Sequence, residues 1–265
     1  MRSGRGALLA LVAAVGVVAG VVAWLVLSGR PAPKPACTAT AVSGESFTFT
    51  VEQTRNAATI AAVGRRLGMP DHATTVALAT ALQESGLRNL PGGDRDSAGL
   101  FQQRPSQGWG TYEQVTDPLY AAAAFYERLR EQPGWAQLPL TQAAQLVQRS
   151  ALPNAYARWE PRARAAAAAL TGAAPGALTC ENLRVGAPGA DIVPVAHAEL
   201  GTAVLSGPHE QAEGWALASW LVANATRFGL DEVTFDGRTW TAESGAWEET
   251  GPPDGVLRLR RADTS

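Results

Sequence analysis

The sequence predicts an N-terminal transmembrane helix, a mainly α domain behind it, and a small α+β domain at the C-terminal end. Three observations predict this: an uncharged apolar run at residues 7–27, helical periodicity through roughly residues 55–170, and a Gly-, Ala- and Pro-rich break at 172–195 followed by strand-like alternation.

From Ala7 to Leu27 the chain carries no charge and is rich in Val, Ala and Leu. As a helix this run reaches roughly 30 Å, which matches a bilayer's hydrocarbon core. A cleaved signal peptide is the rival reading, but its apolar region is usually ~7–15 residues long, and no clean Ala-x-Ala site follows Leu27. The expectation is a single-pass anchor in the cell membrane, with residues 1–6 cytoplasmic and the bulk of the chain extracytoplasmic. Flanking charges are nearly balanced, Arg2 and Arg5 against Arg30 and Lys34, so the cysteines decide the orientation. Cys37 and Cys180 both lie beyond the anchor and bracket the most regular stretch, as expected of a disulfide in an oxidising compartment. Two unrelated buried thiols are the alternative. Closing so long a span would stabilise the domain by roughly 5 kcal/mol in chain entropy.

Residues 28–36 form a Pro-rich linker that should stay extended. The first domain, 37–182, is large enough to bury its own core. After a short strand at Ser46–Val51 it reads as helices. Ile60, Val63, Gly64 and Leu67 share one face, and Gly68 with Pro70 supplies a stop. Asp71 caps the next helix, whose face continues through Val76, Ala79 and Leu82 to Gly86, placing Glu84 in the last turn. Asp117-Pro118 is a cap followed by a first-turn proline, Thr141 caps another helix, and a final one runs from about Pro153 to Leu170 with Tyr156 and Trp159 on its stripe.

A linker at 183–195 leads to the second domain, 196–262. Leu217, Trp220, Leu221 and Phe228 line a helix ending at Gly229, and Asp236-Gly237 turns a hairpin between Val233–Phe235 and Arg238–Trp240. A last strand alternates from Val256 to Arg260. Four of the eight Trp residues lie here, and in so small a domain they should mostly be core. Its role is unassigned, with a cell-envelope protein as one candidate partner.

Formal net charge is −2, and setting aside Arg2, Arg5 and Arg30 with the anchor makes the remainder more acidic, so nucleic acid is excluded as a partner. His72, His197 and His209 are scattered and no metal-ligand spacing occurs, so neither metal nor other cofactor is expected.

The chemistry concentrates in Ala81–Gly110. A glycosidase needs a carboxylic acid kept protonated near neutral pH to donate to the leaving oxygen. Glu84, at the C-terminal end of a buried helix, meets two conditions that favour the neutral form: partial desolvation and an adverse helix dipole. Asp94 and Asp96 lie in a Gly-rich loop, where carboxylates are usually solvated or make local turns. Trp109 is either a sugar platform or a hydrophobic plug.

Glu84-Ser85-Gly86 followed by Gly99-Leu100-Phe101-Gln102 resembles the Glu-Ser and Gly-Leu-[Met/Phe]-Gln pattern of the soluble lytic transglycosylases and goose-type lysozymes, within the lysozyme-like superfamily. The resemblance covers roughly residues 55–170. It implies a lysozyme-like fold for the first domain, Glu84 as catalytic acid, and Ser85, Phe101 and Gln102 beside a sugar cleft. Gly93-Asp94-Arg95 looks like a goose-type feature, which implies a water-positioning role for Asp94. Tyr156 stands near the place of a family tyrosine that orients the acid, although its own stripe gives it a core role equally well. Arg104 occupies the place of a second goose-type aspartate, which weakens a hydrolytic route. The implied function is peptidoglycan cleavage at the MurNAc-GlcNAc bond, with glycan strands as substrate. The alternative is a catalytically inactive wall-binding or scaffold protein that keeps the cleft.

Overall fold

The computed structural model describes Trp24, residues 33–148 and residues 154–262. Apart from Trp24, the predicted anchor at 7–27 lies outside the described residues. Among those described, no helix is long and apolar enough to cross a membrane. The predicted fold class, a mainly α lysozyme-like domain behind a transmembrane helix with a small α+β domain, is corrected by the sheets that the described residues form. The described chain is mixed α/β with two antiparallel sheets, one in each half. The first sheet escaped prediction because two of its three strands come from the far ends of the predicted helical region. Each has only four or five residues, too few for a period-two signal to stand out.

Strands β1 (Ala36–Thr40), β2 (Ser46–Phe49) and β3 (Leu178–Glu181) form that sheet in the order β2-β1-β3. Cys37 faces Cys180 across the β1/β3 register, and the two are disulfide-bonded over a sequence separation of 143. The bond thus ties together both ends of the helical region.

Helix α1 (Val51–Arg66) begins with a capping box, in which Thr50 Oγ1 accepts from the Gln53 amide and Gln53 Oε1 accepts from the Thr50 amide. Helix α2 (Asp71–Ser85) is preceded by Pro70, so Asp71 is its first residue rather than its cap. Every residue from Ala73 to Leu82 is buried, Thr74, Thr75 and Thr80 included, making α2 the central helix, covered on all sides. It stops at Gly86, whose φ of 64° is the left-handed conformation that glycine adopts without a side-chain penalty. Short α3 (Tyr112–Val115) precedes α4 (Pro118–Arg130), where Asp117 Oδ1 accepts from the Leu119 amide as predicted for a cap followed by proline. Helix α5 (Leu140–Gln148) includes Thr141 instead of starting after it. Helix α6 (Glu160–Leu170) begins later than the predicted Pro153, because Ala157–Trp159 is a 3-10 turn; residues 149–153 lie outside the described part. Helix α6 packs along α2.

The second half contains α7 (Ile192–Leu200), β4 (Gly207–Pro208), α8 (Gln211–Ala223), α9 (Ala225–Phe228), β5 (Leu230–Phe235), β6 (Arg238–Thr241), β7 (Trp247–Glu249) and β8 (Val256–Arg261). The predicted single helix ending at Gly229 is two, broken at Asn224. The sheet runs β4-β8-β5-β6-β7, all antiparallel. Asp236 and Gly237 both have positive φ, 52° and 76°, as a two-residue primed hairpin turn requires. Trp215, Trp220 and Trp240 are buried, so these indoles build core rather than a saccharide surface.

Residues 35–265 form one compact unit, and a single hydrophobic cluster runs through both halves. Helix α8 packs on α1, α6 and β3, and Arg65 of α1 pairs with Glu213 of α8 at 3.0 Å.

Candidate active site

The last turn of α2 presents Gln83, Glu84 and Ser85, and each is held by a different neighbour. Ser85 is buried, and its Oγ lies 2.7 Å from the Leu100 carbonyl and 3.0 Å from that of Ala81. The hydroxyl therefore joins the helix end to the Gly-Leu-Phe-Gln turn; it is spent as a donor and unsuited to nucleophilic attack. Two side chains of α1 brace the same helix end: Gln53 Nε2 donates to the Gly86 carbonyl and Asn56 Nδ2 to that of Leu87, both at 2.8 Å.

The loop that follows is short-circuited by bridges between Leu90 and Gly99 and between Ala98 and Gln103. Gly99 sits at the crossing. Its φ is 80°, and a Cβ there would fall 1.9 Å from the Val115 carbonyl oxygen, so no other residue fits without moving backbone. The Phe101 ring is fully buried against Phe125, with centroids 4.7 Å apart, while its carbonyl accepts from Gln148 Nε2 at 3.0 Å. Phe101 thus anchors the turn from inside the core instead of lining an open groove. The Gln102 amide is engaged locally, donating to the Gly99 carbonyl at 3.2 Å and accepting from Ser97 Oγ at 3.0 Å. Asp94 is exposed, 4.0 Å from Arg95, and is not brought against the other site residues. Trp109 is buried beneath the Arg128 guanidinium, 3.9 Å from the ring centroid, so it serves as a plug.

Glu84 is half-buried, and its Oε1 accepts a 3.0 Å hydrogen bond from the Tyr156 hydroxyl. Burial pushes the Glu84 carboxyl above the ordinary carboxylate range; the Tyr156 bond, which favours the ionised form, opposes this with smaller effect. The Tyr156 ring is fully buried, so a core position and a hydrogen bond to Glu84 belong to one residue. Asp96 is treated in the opposite way. The Ser106 amide at 2.7 Å, Arg104 Nε at 3.0 Å and Ser106 Oγ at 3.0 Å all donate to it, and these bonds hold its carboxyl well below the usual range.

Sequence reasoning missed Gln83. Its Oε1 accepts from Trp159 Nε1 at 2.9 Å and from Arg158 Nη2 at 3.0 Å, fixing the turn that carries Tyr156 onto the residue next to Glu84. Adjacency to Glu84 was the only signal available. Gln148 was also missed, since nothing in its spacing marks a partner 47 residues away.

A cavity of about 520 Å³ lies elsewhere, lined by α1, the start of α4 and α7, and does not include Glu84. Among the described residues the carboxyl displaced toward its neutral form is Glu84, and a perturbed carboxyl beside a fixed donor marks a candidate functional site independently of cavity volume.

The model of a family described as VldE, C-terminal domain, matches residues 195–255, a stretch from within α7 to the end of the loop before β8. It lies wholly outside the Glu84 region. No curated protein matches the chain.

Proposed function

We propose that this chain cleaves peptidoglycan glycan strands as a lytic transglycosylase, with Glu84 as general acid and then general base. The observation that carries the reading is a half-buried carboxyl, displaced toward its protonated form and oriented by a buried tyrosine. It stands at a helix end stitched to the Gly-Leu-Phe-Gln turn.

In the first step the Glu84 proton moves to the oxygen between N-acetylmuramic acid and N-acetylglucosamine, and the C1–O bond breaks. The neighbouring N-acetyl oxygen supports the positive charge developing at C1. Glu84, now a carboxylate, is stabilised by the Tyr156 hydroxyl and takes the proton of the muramic 6-hydroxyl. That oxygen closes on C1 and gives a 1,6-anhydro product without water. Asp96 favours this route over hydrolysis. Of the two aspartates in the motif region, Asp96 is occupied by Arg104 and Ser106, and Asp94 is exposed beside Arg95 and not brought against the other site residues, so both are poorly available to activate a water. The Cys37–Cys180 disulfide fits work in an oxidising, extracytoplasmic compartment, where the wall lies.

Mass spectrometry of purified cell wall digested with the protein tests the reading. Anhydromuramyl fragments are expected, and they should vanish with Glu84→Gln. Reducing ends alone would assign a hydrolase. Wall binding without fragments from the unaltered protein would assign the inactive scaffold.

A further inference from the structure

The 520 Å³ cavity has a lining that the glycan chemistry does not use, and its volume falls in the range of small-molecule sites. One wall is a single face of α1. Glu52, Arg55, Asn56 and Thr59 follow at i, i+3, i+4 and i+7, which brings charged and polar side chains to a place where helices usually bury apolar ones. Helix α7 contributes to the lining, with Val195 and Ala198 supplying a small aliphatic surface and Glu199 a buried carboxylate. Asp117 and Leu119, at the start of α4, line it as well.

Glu199 is held on both carboxylate oxygens. It is buried, and its Oε2 accepts from Thr59 Oγ1 at 3.1 Å and Trp220 Nε1 at 2.9 Å, while its Oε1 pairs with Arg227 Nη1 at 3.2 Å. Arg227 is thereby fixed in place with other N–H donors of its planar fork still to direct. Arg55 is half-buried and forms no ion pair among the described residues. Two guanidiniums, one preset and one unpaired, suit a carboxylate. Glu52 and Asp117 supply negative charge to the same lining and suit an ammonium group. Three carboxylates against two guanidiniums repel phosphate-rich ligands.

We propose that this gap is a binding site for a short zwitterionic peptide with small aliphatic side chains. Its terminal carboxylate is taken by Arg55 and Arg227 and its terminal ammonium by Glu52 and Asp117. The site does not rest on the reading of Glu84, because no residue of its lining touches that carboxyl.

Titration of the full chain with dialanine, in its L,L and D,D forms, tests this by calorimetry and by amide chemical shifts. Binding in the millimolar range is expected for at least one form. N-acetylation or C-amidation of the peptide should abolish it, and Arg55→Met should weaken it by at least about ten-fold, the worth of a charged hydrogen bond. Ala198→Phe, which fills the gap without touching a charge, should also abolish binding, whereas Glu84→Gln should leave it unchanged. Absence of binding at millimolar peptide, or binding indifferent to end-blocking and to Arg55→Met, overturns the proposal.

Discussion

Glu84 and Asp96 lie twelve residues apart in one motif, yet the fold drives their carboxyls in opposite directions. Glu84 receives the Tyr156 hydroxyl and a desolvating environment, and its proton is held more tightly than usual. Asp96 receives a backbone amide, a guanidinium and a hydroxyl in a solvated loop, and its proton is lost more readily than usual. Burial for Glu84, and the number and charge of donors for Asp96, push the two carboxyls apart, whatever their position in the motif.

The largest effect should come from Glu84→Gln. A general acid supplies roughly 10²–10⁴-fold in rate, so muralytic turnover should fall by that order while the circular dichroism spectrum is unchanged. The same variant tests the direction of the shift. A carboxyl whose folded pKa is raised contributes stability below its ordinary pKa, and that contribution is lost as pH rises through the folded value. Glu84→Gln should therefore melt higher than the parent at neutral pH and match it in acid. A parent that melts higher at neutral pH would break the contrast.

Tyr156→Phe comes next. It removes the Tyr156 hydrogen bond that opposes the shift, so Glu84 should hold its proton to still higher pH. The alkaline limb of the pH–rate profile should move upward, with a loss at the optimum of about ten-fold from poorer orientation. Gln83→Ala should act in the same direction but less, because it frees Trp159 and Arg158 and loosens Tyr156 only indirectly. Its signature is an alkaline limb displaced part of the way toward that of Tyr156→Phe.

Asp96→Asn should change activity least. Its bonds to Arg104 and Ser106 stabilise the ionised loop above the ordinary carboxylate pKa, and this contribution is lost as pH falls toward the depressed folded value. The variant should melt lower than the parent at neutral pH, the two should converge in strong acid, and turnover should stay within the parent's order of magnitude. A large loss of turnover would make Asp96 a reacting group.

Much of the local structure was legible. Asp117-Pro118 as a helix start and Asp236-Gly237 as a hairpin turn follow from backbone preferences of single residues, which act over a few positions. The Cys37–Cys180 disulfide follows from the two cysteines bracketing the helical stretch, with separate buried thiols as the alternative; strand register puts them face to face and bonded. Fold class was misjudged because β1 and β3 are short, distant in sequence and meaningful only once paired.

At the site, the sequence by itself determined that a glutamate would end a buried helix and that a sharp Gly-rich turn would follow it. Only the tertiary structure decided what those residues do. Phe101 went into the core, Gln102 turned back on its own loop, and Tyr156, 72 residues away, came to rest on Glu84. The reason is range. Caps and turns are settled by neighbours along the chain, whereas a carboxyl's protonation depends on burial and on donors that arrive from anywhere in the fold.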